Sequence, residues 1–392
     1  MQTGGGLFPE TPLYGYDFGG GTTYPGATIL ARKDRRIVVR WNNMLDNDAV
    51  AFPDSHLLSY LVDPTLHMAF PDHGVPVVTH LHGGHTESAS DGLPEQWYTQ
   101  GFAEMGDFFV KRDYLYGNDQ NAATLWYHDH ALGITRLNVY AGLAGFYLLT
   151  DANEQNLQDN NVLPSGDFDA EIVIQDRQFE IVDNVARLTL PAEFEAEDDP
   201  LPDIFNILCE DDGSPGWKEA DEFPEETPSA VAEFFGDIIV VNGRAWPMYE
   251  VGQTKYRLRL LNGSDSRFYV LEFRDTATGA GFTYDFLVIG SDQGFLPAAI
   301  TQSELLIAPG ERYDVVFDFS SQGLGADDSV YLRNFGPDEP FKGIPQTPAD
   351  EGSTGQIMRF DVKSTTTIPV PTTPPPVAGG TSFECRRPRS DA

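Results

Sequence analysis

Two short stretches hold the residues best placed for chemistry: "THLHGG", with His80 and His82, and "WYHDH", with His128 and His130. Successive side chains on a β-strand point to opposite faces, so an H-x-H spacing puts both imidazoles on one side. Two such strands side by side would bring four neutral imidazoles to one small volume. Imidazole-only ligation suits copper, zinc or iron, and ligand softness alone does not choose among them. Gly83 and Gly84 follow the first pair and allow close approach to whatever is bound. All eight histidines lie between His56 and His130. The other four, His56, His67, His73 and His85, stand in loop-like contexts and are expected to be solvent-exposed or locally bonded.

Rival chemistries are short of residues. Zinc hydrolysis wants a mixed ligand set with a general base, as in HExxH, and that motif is absent. Serine hydrolysis would need a GxSxG elbow, also absent. A blue-copper site needs a cysteine thiolate among its histidines. The two cysteines, Cys209 and Cys385, have no histidine nearby and form neither a CxxC pair nor a disulfide framework.

The elements that must position the histidines read as strands. Gly 38 and Pro 28, with frequent Phe and Tyr, favour a turn-rich β protein. Residues 1–150 form a first block containing "GATILARKDRRIVVRWNN", "VPVVTHLHGG", "TLWYHDH" and "AGLAGFYLLT". A polar connector covers 151–170, and a second strand-rich block runs over 171–363. Within it, "KYRLRLLN" sets Tyr256, Leu258 and Leu260 against Lys255, Arg257 and Arg259, which predicts a half-buried antiparallel strand. Residues 191–230 carry fourteen acids against one lysine, Lys218, and read as a solvated excursion. Residues 364–392 are a Thr/Pro-rich linker and a tail. Arg386, Arg387 and Arg389 break the acidic habit upstream, so the tail reads as an interrupted end.

The net charge of −35 repels phosphate backbones and anionic bilayers, so neither nucleic acid nor a membrane surface is an expected partner. Acids spread along the chain suggest a halophilic source, where salt screens their repulsion. No apolar run approaches the ~18 residues of a membrane span. The start, "MQTGGGLFPETPLYGY", shows no export signal, which leaves the compartment open.

These motifs resemble a known family. "HLHGG", "SDGLPEQW" and "LWYHDHALGITRLNVYAGLAGFYLL" look like the first cupredoxin domain of the multicopper oxidases, in particular bacterial spore-coat laccases and bilirubin oxidases. "VVNGRAWPMYEV", "YRLRLLNGSDSRFY" and "LLIAPGERYDVVFDF" resemble that subgroup's second domain. The resemblance implies an all-β fold of two consecutive cupredoxin-like Greek-key β-sandwiches. It implies copper as cofactor, with O2 and a small phenol-type aromatic reductant as partners. In the family a trinuclear cluster between the first and third domains reduces O2, and a type 1 copper in the third takes substrate electrons. By resemblance, His80 is a type 2 ligand and His82, His128 and His130 serve the type 3 pair. Asp91, in "SASDG", matches an acid that assists proton delivery, beside its plainer role in an Asp-Gly turn. Asp129 should face the other side of its strand and orient neighbours.

The family's HPxHxH and HCHxxxHxxxGM motifs are absent from these 392 residues. The expectation is therefore a truncated laccase-like chain holding half of the trinuclear ligands and no type 1 site. A separate chain or missing segment would supply the third domain, or an interrupted reading frame would account for its loss. The alternative is a non-catalytic two-domain copper-binding or scaffold remnant.

Overall fold

The computed structural model describes residues 11–45, 52, 54–63, 69–182, 185–190, 192–193, 229–230, 233–364 and 381–386. The histidine motifs form neighbouring strands. Thr79–His82 runs antiparallel to Ala123–Asp129 with His80 opposite His128. Ala144–Thr150 and Gly26–Arg32 complete this four-stranded sheet, leaving Thr79–His82 at its edge. Alternation then sorts the side chains of Ala123–Asp129. Leu125 and Tyr127 enter the core of the first sandwich, while Trp126 and His128 face outward.

The opposing sheet holds Thr22–Thr23, Tyr16–Asp17, Thr381–Arg386, Ile37–Asn42 and Asp113–Tyr116 in that order. Part of the segment expected to be an atypical tail therefore lies inside a sheet. The backbone of Thr381–Arg386 pairs parallel with Tyr16–Asp17 and antiparallel with Ile37–Asn42. The linker at 365–380, with Arg387 and Arg389, falls outside the described residues. Trp41, Tyr16 and Tyr127 pack edge-to-face or tilted between the sheets. Each such buried ring contributes on the order of 2 kcal/mol from area alone.

The second sandwich pairs a larger sheet with a six-stranded one. The larger sheet is built around Asp169–Val182, Lys255–Asn262 and Arg312–Asp318. The six-stranded sheet centres on Gln356–Lys363, Ser329–Asn334 and Tyr269–Arg274. Lys255–Asn262 departs from its expected half-buried, antiparallel form. It is antiparallel to Arg312–Asp318 but parallel to Asp169–Val182, and from Tyr256 onward both faces are buried. Tyr256, Leu258 and Leu260 fill the apolar core, whereas Arg257 and Arg259 bury against acids on the other face.

The cover over those arginines comes from the connector. Its helix Ala152–Asp159 is N-capped by Asp151, whose Oδ1 accepts from Glu154 N at 2.8 Å. The strand that follows starts at Asp169. Of the acidic stretch 191–230, only 192–193 and 229–230 are described, as a two-stranded pair; the rest lies outside the described residues. Trp126, Ala144, Phe146 and Leu148, on the outer face of the histidine sheet, pack against Val173 and Leu261 of the second sandwich. The face that carries the histidines thus continues directly into the interface between the sandwiches.

Candidate metal centre

The four strand histidines converge. His80 lies 4.9 Å from His130, 5.6 Å from His128 and 5.8 Å from His82, measured between ring centroids. His128 lies 5.5 Å from His82 and 5.7 Å from His130. Three rings are tethered through Nδ1 to backbone carbonyls: His80 to Asp91 at 2.6 Å, His128 to Asp129 at 2.6 Å and His130 to Gly92 at 3.0 Å. A carbonyl only accepts, so each Nδ1 carries the proton and each Nε2 keeps its lone pair. His82 differs, because its Nδ1 faces His128 Nε2 at 3.3 Å.

Burial pushes the imidazolium forms down: His82 to about 4, with Arg312 and His80 adding to it, His130 in the same direction, and His128 further still. Neutral imidazoles are the ligand form of histidine. No three His, Cys, Asp or Glu side chains among the described residues close on a single point. The donor set is spread more widely than one ion's coordination sphere.

Asp129 faces away from the cluster, as alternation requires. Its buried carboxylate accepts from Val78 N at 2.9 Å, Ala131 N at 3.0 Å and Asn138 Nδ2 at 2.8 Å. Those bonds tie the approach to the His80 strand to the exit of the His128 strand. Burial nonetheless pushes the carboxyl up to about 7, against the Asn138 and backbone hydrogen bonds.

Behind it stands a residue that sequence reasoning misplaced. His56 is buried, with Nε2 3.0 Å from Asn138 Oδ1, and its Nδ1 accepts from Leu58 N at 2.9 Å. Since Asn138 Nδ2 also donates to Asp129, Asn138 relays packing from His56 to the histidine strand. A lone loop histidine carries no periodicity, so nothing in the sequence pointed to this bond across the chain. His73 is exposed, His85 is exposed beside Asp119 at 3.4 Å, and His67 lies outside the described residues.

Asp91 lies against His80, its carboxylate 3.5 Å from Nδ1, and accepts a hydrogen bond from Thr86 Oγ1. It also borders a polar surface cleft with Arg36, His85 and Asp119. The turn at Gly92 is enforced, since a Cβ there would sit 2.1 Å from Thr79 O. On the histidine side a cavity of about 460 Å³ separates the sandwiches. Its walls are the four histidines and Trp126 from the first sandwich, and Ser264, Asp265, Pro309 and Gly310 from the second. A bidentate Arg136–Asp265 pair at 2.7 Å bridges them.

Residues 74–154, which contain all four histidines, match the family model described as Multicopper oxidase. A laccase of Bacillus stratosphericus is 40% identical over 314 residues, covering 80% of this chain and 52% of that protein. This chain belongs to the multicopper oxidase family. A bilirubin oxidase of Albifimbria verrucaria is 36% identical over 296 residues, covering 75% of this chain and 42% of its own length. Among solved structures, a multicopper oxidase of the hyperthermophile Aquifex aeolicus superposes with a TM-score of 0.58 at 22% identity. That match covers 94% of this chain and 68% of the other, and supports the cupredoxin-like fold. The chain spans about half the length of the curated relatives it matches. Copper is the metal that the matching family implies. No helix among the described residues is long and apolar enough to cross a membrane.

Proposed function

We propose that this chain is the two-sandwich portion of a laccase-like oxidase that couples oxidation of a phenol-type reductant to reduction of O2 to water. The observation that carries this reading is the convergence of four imidazoles, three of them bonded through Nδ1 to a backbone carbonyl, on the wall of a cleft between the sandwiches. Their nitrogen-only chemistry fits copper. Bound copper would supply the one-electron steps that link an organic donor to O2.

His80 is the type 2 ligand, and His82, His128 and His130 hold the type 3 pair. A third cupredoxin-like domain, in the same or another polypeptide, completes the ligand set and brings the type 1 copper. Asp91 touches both Thr86 and His80, so its carboxylate can hold a proton between the polar cleft and the cluster. Asp129 positions the two histidine strands, and the second sandwich walls the cleft.

Copper titration of the purified 392-residue chain, followed by assay with a phenol under O2, tests the reading. Binding without intense blue colour and without turnover is expected. Turnover on mixing with a relative's third domain would establish the shared site. Phenol oxidation by the chain alone, or failure to bind copper, would overturn it. Copper binding with no turnover in any mixture would favour a copper-binding scaffold.

A further inference from the structure

The second sandwich has no histidine, yet it places a buried cation beside the cluster. Arg312 opens the strand Arg312–Asp318 and is 2% exposed. Its guanidinium spans three backbone carbonyls: Nε donates to Thr124 at 3.1 Å, Nη1 to Gly310 at 2.8 Å and Nη2 to Asp292 at 3.1 Å. The Asp292 carboxylate, 2.9 Å from Nη1, fixes the fork in place. Two of these contacts bear on the metal centre. Thr124 lies on the strand that carries His128, and Gly310 lies over His82. A Cβ on Gly310 would stand 3.7 Å from His82 Cε1 and 3.8 Å from Trp126 Cζ2. The residue after His82 makes room for the cation, because a Cβ on Gly83 would lie 2.6 Å from Arg312 Nη2.

His82 is the one cluster imidazole with no carbonyl tether among the described residues. Its Nδ1 meets His128 Nε2 at 3.3 Å, and packing holds the rest of the ring. One face stacks on Trp126, centroids 5.1 Å apart and planes at 28°, and the Pro309–Gly310 turn closes the space beside it. That turn is itself held by Gly310 N donating to Asn262 O at 2.8 Å and by the Arg312 fork on its carbonyl.

We propose that Arg312 is the positioning residue for His82: its guanidinium fixes the Pro309–Gly310 turn against the imidazole and so sets where that ring's lone pair points. The inference rests on the copper reading only for what the lone pair binds; the placement of the ring stands without metal. Arg312 works here through geometry. A lysine would keep the charge, but its ammonium is a point donor that cannot bridge the same carbonyls.

The test uses the full chain labelled with ¹⁵N-histidine, observed by NMR without metal and then titrated with copper. Arg312→Lys should replace the single set of His82 ring nitrogen shifts by averaged values while His80 and His130 keep theirs. Copper affinity should fall by about tenfold, as for loss of other groups that orient a ligand. Gly310→Ala keeps the guanidinium but strains the turn, whose φ is +79°, and should move the same signals. Arg267→Lys, equally buried but bonded to Asp176 and Gly236, should lower stability and leave His82 unmoved. Unchanged His82 signals in folded Arg312→Lys and Gly310→Ala would overturn the proposal. His82 signals that move in a chain whose wild type binds no copper would uphold the positioning role and sink the copper reading instead.

Discussion

Two polar clusters among the described residues differ in what their atoms are bonded to. At the interface between sandwiches, Glu154 Oε1 accepts from both Arg257 and Arg259, Asp169 accepts from Arg259 at 2.7 and 2.8 Å, and Thr124 Oγ1 donates to Asp314 at 2.6 Å. Burial alone would raise the Asp314 carboxyl, but the two guanidiniums override it and hold it below its usual range. Within this cluster only Glu154 Oε2 and Arg257 Nε lack a partner among the described residues. The histidine cluster is the reverse case. The Nδ1 atoms of His80 and His130 are tied to the backbone while their rings line a cleft. A nearly saturated cluster serves the fold, whereas one that is pre-oriented and left open is built for something that arrives later.

The largest effect should come from the saturated side. Glu154→Gln removes the carboxylate shared by two guanidiniums that are 1% and 2% exposed. Both guanidiniums keep Asp169 and Asp314, so the loss is two charge-assisted hydrogen bonds to a buried carboxylate, together about 3–5 kcal/mol. Urea unfolding should show that loss, while the folded fraction binds copper as before. A loss under ~1 kcal/mol would mean that the interface tolerates open charges and would erase the contrast.

Next comes a buried histidine outside both clusters. Burial lowers His56 to about 4, against its bonds to Asn138 and Leu58. The unfolded chain takes up that proton near pH 6.5 and the folded chain only near 4. Stability is therefore full above pH 6.5, declines as pH falls from 6.5 to 4, and declines no further from this group below that. The span corresponds to about 3 kcal/mol. In His56→Gln, which can still bond Asn138, the drop between pH 6.5 and 4 should shrink by that amount in denaturant melts. Equal slopes for the two proteins would contradict the assignment.

How much of this was legible follows from what a pattern can encode. The H-x-H pairs converted directly into geometry, because strand parity is local and each motif names its own face. The paired register of His80 with His128 then needed only two adjacent strands. Parity also placed Asp129 on the opposite side, where its carboxylate holds both strands in position. For Arg257 and Arg259 the same rule gave the face but not its cover, since the connector helix that buries them comes from about a hundred residues earlier. The Arg312 fork was illegible for a related reason. Its three acceptors are backbone carbonyls, which carry no residue signature.

The smallest expected change in stability tests the open side of the comparison. His130 is half-exposed and its ring donates a hydrogen bond to Gly92 O at 3.0 Å. A glutamine can donate to the same carbonyl but cannot offer an imidazole lone pair. His130→Gln should therefore shift the unfolding free energy of the metal-free chain by no more than about 1 kcal/mol. Copper affinity should fall at least about tenfold in the same preparation. A residue kept for the fold would give the opposite result, costing stability and sparing the metal, and would place His130 with Arg257 and Arg259 rather than with His80.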